Sequence, residues 1–132
     1  MASNPKLFTH KCTYDVTNGA DLGTAASHVP SNAGTKIPDN AIVMRCTTYT
    51  SVAMVAVGGT PTFTITCGGI TLVGTQNCVG HASLADEKVT INEVADKTTA
   101  AGDITVVIAD QAINAGVIEI ITEYYLATEQ GA

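Results

Sequence analysis

A chain of 132 residues is the size of one domain, and with 45% apolar residues it holds enough of them for a core of its own. Charged residues make up only 14%, against roughly 25% in an ordinary soluble domain, so the surface must be built from Thr, Ser, Asn and Gly. Six Lys and Arg against twelve Asp and Glu leave a net charge of −6, which excludes the basic stripe that direct nucleic-acid binding needs.

Residues 1–6 are polar, with Pro5 blocking regular structure, and read as an arm. Residues 7–16 alternate, with Phe8, His10, Cys12 and Tyr14 on one side and Thr9, Lys11, Thr13 and Asp15 on the other: a first strand. Residues 18–40 are rich in Gly, Pro and Asn, and a connection of this length is functional or part of an interface more often than not. A short strand is expected near residues 22–26.

The centre of the chain, residues 37–78, opens on the turn signal Ile-Pro-Asp-Asn and then alternates. Ile42, Met44 and Cys46 fall on one face and Arg45, Thr47 and Tyr49 on the other. After Gly58-Gly59, Phe63, Ile65 and Cys67 oppose Thr62, Thr64 and Thr66, and after Gly68-Gly69 a third strand starts at Ile70. With both glycine pairs taken as hairpin turns, this unit is an antiparallel meander with an apolar and a threonine-rich face.

Residues 79–87 read as a turn or a single helical loop. Residues 88–94 read as a strand with Val89 and Ile91 inward and Thr90 and Asn92 outward, followed by a loop over 95–102. Residues 103–109 are apolar on both faces, as in the middle of a sheet or under an interface. A turn over 110–116 leads to the last strand, 117–126, with Ile118, Ile120, Thr122, Tyr124 and Leu126 on one face. Seven or eight short strands with turns between them and hardly any helix predict an all-β, antiparallel two-sheet sandwich, jelly-roll or immunoglobulin-like. The domain spans residues 8–127, between an arm (1–7) and a short tail (128–132).

Reactive constellations are hard to find. Cys12, Cys46, Cys67 and Cys78 are widely spaced, without the CxxC or CxxH of a zinc site. Residues 1–11 lack the apolar segment of a secretory signal, so buried, reduced thiols are expected in preference to a disulfide framework. His10, His28 and His81 each stand alone. The carboxylates Asp86, Glu87, Glu93, Asp96, Asp103 and Asp110 read as solvated loop and turn residues. There is no Gly-x-Ser-x-Gly elbow, and neither glycine pair opens a phosphate loop. No apolar run approaches the roughly 18 residues of a membrane-spanning helix. The expectation is a protein without catalytic residues, metal or cofactor, acting on neither nucleic acid nor membrane.

Four features carry a resemblance: a Lys-x-Phe-Thr strand start at Lys6, the run Lys36-Ile-Pro-Asp-Asn-Ala-Ile-Val43, the repeated Gly-Gly, and the closing strand Gly116-Val-Ile-Glu-Ile-Ile-Thr-Glu-Tyr-Tyr125. This layout resembles that of small virion structural proteins of tailed bacteriophages. The resemblance implies a β-sandwich component of the particle, most plausibly a capsid decoration (cement) protein made in the host cytoplasm and seated on the capsid surface. Its implied partners are sister subunits, as a homotrimer or other symmetric oligomer, and the major capsid protein. The arm and the long loop become the clamping segments, with Pro5, Lys6, Leu7, Leu22, His28 and Pro30 as candidate contact residues. The competing readings are a tail or fibre component and a carbohydrate- or receptor-binding sandwich; scarcity of both charge and aromatics favours a lattice protein.

Overall fold

The computed structural model describes residues 6–127. Its strands are β1 (Phe8–Asp15), β2 (Ser27–His28), β3 (Ala41–Ala56), β4 (Thr62–Cys67), β5 (Ile70–Asn77), β6 (Lys88–Lys97), β7 (Thr105–Ala109) and β8 (Ile113–Leu126), with one turn of 3-10 helix at Ala82–Leu84. They form two antiparallel four-stranded sheets, β1-β8-β3-β6 (sheet one) and β2-β7-β4-β5 (sheet two). Only β4 and β5 are consecutive within one sheet; every other connection crosses between the layers. Of the two sandwich types expected, this order is that of a jelly roll.

The central stretch is therefore not a meander. β3 lies in sheet one and β4 in sheet two, so Gly58-Gly59 makes a corner between layers. Gly68-Gly69 does make the expected hairpin: both glycines have positive φ (56° and 85°), as a two-residue type I′ turn requires. Two facing assignments also invert. β3 and β6 change register between Val43 and Arg45, and this bulge moves the alternation by one residue. Ala41, Val43 and Cys46 point inward, while Met44 is 39% exposed. On β6, Thr90, Asn92 and Val94 take the more buried positions, and Val89 and Ile91 face out at 63% and 57% exposure. The Asn92 side chain donates to the Cys46 carbonyl at 3.1 Å, which satisfies an amide inside the sandwich edge. The short strand of the long loop lies at Ser27–His28, just beyond the expected 22–26.

The inner faces meet in one cluster that includes Tyr14 from β1, Val43 from β3, Phe63 and Ile65 from β4, Val106 and Ile108 from β7, and Ile118 and Ile120 from β8, all at most 1% exposed. Each such side chain contributes about 1.5–3 kcal/mol by leaving water. β7 is the middle strand its two-sided apolar character predicts, lying between β2 and β4.

One buried hydroxyl ties the loops at the end of the sandwich. Thr98, fully buried after β6, accepts the Ala41 amide at 2.9 Å and donates to the Pro38 carbonyl at 2.8 Å. The nearly isosteric Thr98→Val removes both bonds and leaves two backbone groups without partners. It is expected to lower unfolding stability by about 2 kcal/mol in urea titration with an unchanged m-value; an unchanged midpoint would show that the hydroxyl is not a tie.

Candidate interaction surface

Each of the three histidines makes one contact that ties a loop or turn, and His10 Nδ1 is buried without a hydrogen-bond partner among the described residues. His10 Nε2 lies 3.0 Å from the Thr35 carbonyl and His28 Nε2 lies 2.7 Å from the Thr24 carbonyl. His81 Nδ1 accepts the Ser83 amide at 3.2 Å, capping the 3-10 turn. The Ser83 hydroxyl lies 2.7 Å from the same nitrogen and 2.6 Å from Gln76 Oε1, so this Ser–His contact is a turn cap without a free base. Among the described residues no three His, Cys, Asp or Glu side chains are grouped to hold a metal ion, and no helix is long and apolar enough to cross a membrane.

All four cysteines are buried and unpaired. Burial pushes the Cys12 thiol up to about 12 and those of Cys46, Cys67 and Cys78 up to about 11. They remain protonated, poor nucleophiles at neutral pH.

The long connection from β1 to β3, which carries β2, is folded against the free edge of sheet one. The Asp21 carboxylate accepts the Asp15 amide at 2.8 Å and the Ser31 amide at 2.7 Å. Asn32 Oδ1 accepts the Thr13 amide at 2.8 Å, and the Tyr14 hydroxyl donates to the Leu22 carbonyl at 2.6 Å. Loop side chains thus occupy edge-strand amides that would otherwise invite another strand.

The structure separates the candidate contact residues. Leu22 is 68% exposed at the loop surface. His28 is half-buried, its ring stacked on Tyr14 at 6.0 Å, and Pro30 is buried within the fold. Lys6 is exposed, with its ammonium 5.2 Å from the Phe8 ring centre, and Leu7 is 43% exposed. Pro5 and the rest of the arm, like residues 128–132, lie outside the described residues.

Only Leu7 belongs to a larger feature. With Met44, Arg45, Glu93, Glu123 and Tyr125 it lines a groove of about 260 Å³ on the outside of sheet one. Arg45 and Glu123 form an ion pair across its floor at 2.7 Å. Next to the groove, register places Thr47 between Ile91 of β6 and Ile121 of β8, and Tyr49 between Val89 and Glu119. The Tyr49 hydroxyl donates to Glu87, and that hydrogen bond, first among the causes, raises its pKa. The result is an apolar strip across β8, β3 and β6, bordered by carboxylates.

Sheet two differs. None of its strands contains Asp, Glu, Lys or Arg, and none carries an exposed large apolar side chain. Its outer face presents Thr62, Thr64 and Thr66 of β4 beside β5, with Thr64 and Thr75 hydroxyls 2.9 Å apart. The pattern of residues 88–94 held a sign of the apolar strip: Val89 and Ile91 share parity with Glu93, and an outward Glu93 takes them with it.

Fold and surface define a class: an all-β jelly-roll domain with an apolar strip on the outer face of one sheet and a threonine-rich outer face on the other. No family model and no curated protein matches the chain. Among solved structures, it is similar to a chain of the acidic stable capsid structure of Helicobacter pylori bacteriophage KHP30. That match has a TM-score of 0.57 and 12% identity, covering 96% of this chain and 92% of the other. A chain of the cyanophage Pam1 capsid asymmetric unit aligns with a TM-score of 0.48 and 16% identity, over 95% of this chain and 86% of that one. At these identities the likeness is one of fold.

Two outcomes follow from the loop and the thiols. Asp21→Ala removes the acceptor of two amides and is expected to cost about 2 kcal/mol and open residues 16–26 to proteolysis; wild-type stability and cleavage would contradict the clamp. Because folding raises the thiol pKa values above their ordinary 9.0, the thiol contribution to stability is intact below pH 9 and is lost as pH rises through 9 toward 11–12. Urea midpoints should fall over that window, and a thiol reagent at pH 8 should label the four cysteines only after unfolding; rapid labelling of the native chain would contradict their burial.

Proposed function

We propose that this chain is a non-enzymatic structural protein of a bacteriophage virion, a decoration (cement) protein that binds the capsid exterior as a symmetric oligomer and stabilises the head. The observation that carries this reading is the two-way coverage of the KHP30 match: 96% of this chain aligns with 92% of a chain from a phage capsid structure. The likeness therefore extends over a whole chain of similar size, not over one domain of a larger one. The resemblance read from the sequence supports the same assignment independently.

The physical properties are those the role demands. A cement protein needs a rigid scaffold, which the two-sheet core supplies, and surface that sister copies and shell subunits can cover at small desolvation cost. A chain with 14% charged residues meets that need. The partners in this reading are sister subunits, as a homotrimer, and the major capsid protein. The arm with Lys6 and Leu7, and the loop with Leu22 and His28, are the segments proposed to reach neighbours. Many weak copies bound to one lattice then act together, so no single contact has to be strong.

The test has two readouts. Light scattering of the purified protein should give a stable mass near three times 13.5 kDa. Heads assembled without it should release DNA at a lower temperature than heads to which it has been added back. A monodisperse monomer would remove the trimer, and equal heat resistance of both head preparations would remove the stabilising role.

A further inference from the structure

The two outer faces of the sandwich are unequal, and the inequality assigns a direction to the molecule. Every Asp, Glu, Lys and Arg located in a strand lies in sheet one. So does every exposed large apolar side chain located in a strand, Ile91 and Val89 being the most exposed of them, on the edge strand β6. Sheet two offers hydroxyl groups that bond to water and to each other. It has little apolar area to hide, and little is gained by covering it.

We propose that the chain docks through the outer face of sheet one, and that this face fits a protein surface with an apolar centre and a rim of Lys and Arg. The proposal rests on the virion reading for the identity of that surface, an exposed part of the capsid shell. Ile91, Thr47 and Ile121 form one row across three strands, and Tyr49 and Val89 continue it in the next. Neighbours within such a row are about 4.8 Å apart from strand to strand, so the strip is a continuous surface on which another protein can pack.

Charge selects the occupant. Glu93 and Glu119 border the strip on opposite sides, and Glu87 is held beside it by the Tyr49 hydroxyl. Among the described residues two cations lie beside the strip: Arg45, already paired with Glu123, and Lys11, which register sets beside Ile121. Against Glu87, Glu93 and Glu119 the single free cation leaves the border negative in net. A second copy would bring the same carboxylates against it, and like charges brought together at a desolvated border disfavour the contact. A basic rim satisfies them. Sister copies then meet elsewhere, and the threonine face of sheet two points to solvent.

Ile91→Glu tests the assignment, since Ile91 is 57% exposed on an edge strand and its replacement leaves the core intact. Thr64→Glu, on the outer face of sheet two, is the matched control. Binding of each purified protein to heads prepared without it is measured by co-sedimentation at low and high salt, alongside native mass and thermal midpoint. The expected result is wild-type binding weakened by salt, a loss of about tenfold or more for Ile91→Glu, and wild-type binding for Thr64→Glu, with all three proteins sharing one mass. Equal binding by wild type and Ile91→Glu would overturn the face while leaving the virion reading intact. A lower native mass for Ile91→Glu would also overturn it, by making the strip a contact between copies. Heads that bind none of the proteins would sink the virion reading, and this assignment with it.

Discussion

Burial of the two inner sheet faces against each other is the constraint on which the rest of the molecule depends. Phe63, Ile65, Val106 and Ile108 from sheet two join Tyr14, Val43, Ile118 and Ile120 from sheet one in a single cluster. Every strand except β2 and β6 places a buried side chain in it, and because nearly every connection crosses between the sheets, those six strands cannot separate without opening the cluster. The connections must then pass around the ends of the sandwich, where backbone polar groups need partners. Thr98, Asp21 and Tyr14 supply them. The loops are fixed because the core fixes their ends and a few side chains satisfy their amides.

The same constraint explains why chemistry is scarce. The histidines are tied into turns and loops through one ring nitrogen each, and thiols inside an apolar layer are held protonated. The surface is divided by layer: sheet two is neutral and hydroxylated, while sheet one is charged and partly apolar. A division of this kind gives a small domain a front and a back, which an orientation on a lattice requires.

Much of the fold was legible because alternation is a local signal. Phe63, Ile65 and Cys67 against Thr62, Thr64 and Thr66, or Ile118 and Ile120 in the last strand, read correctly from period alone. Alternation does not, however, say which of two faces is inward. On β6 both faces mix apolar and polar residues, and its position at a sheet edge, beside the thin margin of the core, decided in favour of Thr90, Asn92 and Val94. The bulge near Met44 was invisible for a related reason: it is a mismatch between partner strands far apart in sequence. Strand order depends on such pairings too, so a local corner at Gly58-Gly59 looked like a hairpin. The apolar strip combines Val89 and Ile91 with residues of β3 and β8, and only the pairing of those strands brings them together. That Leu7 lines a groove with Met44 and Tyr125 was not legible, because it depends on the pairing of β8 with β1 and β3. The burial of Pro30 follows from the loop folding back on β1.

In the proposed role this jelly roll sits on the outside of a phage head with its charged, partly apolar sheet inward. Cryo-electron microscopy of heads carrying the protein, compared with heads lacking it, tests that claim most directly. The account predicts difference density on the capsid exterior into which the sandwich fits with sheet one against the shell and the threonine face outward. Difference density with sheet two against the shell, or none on the head at all, would contradict it.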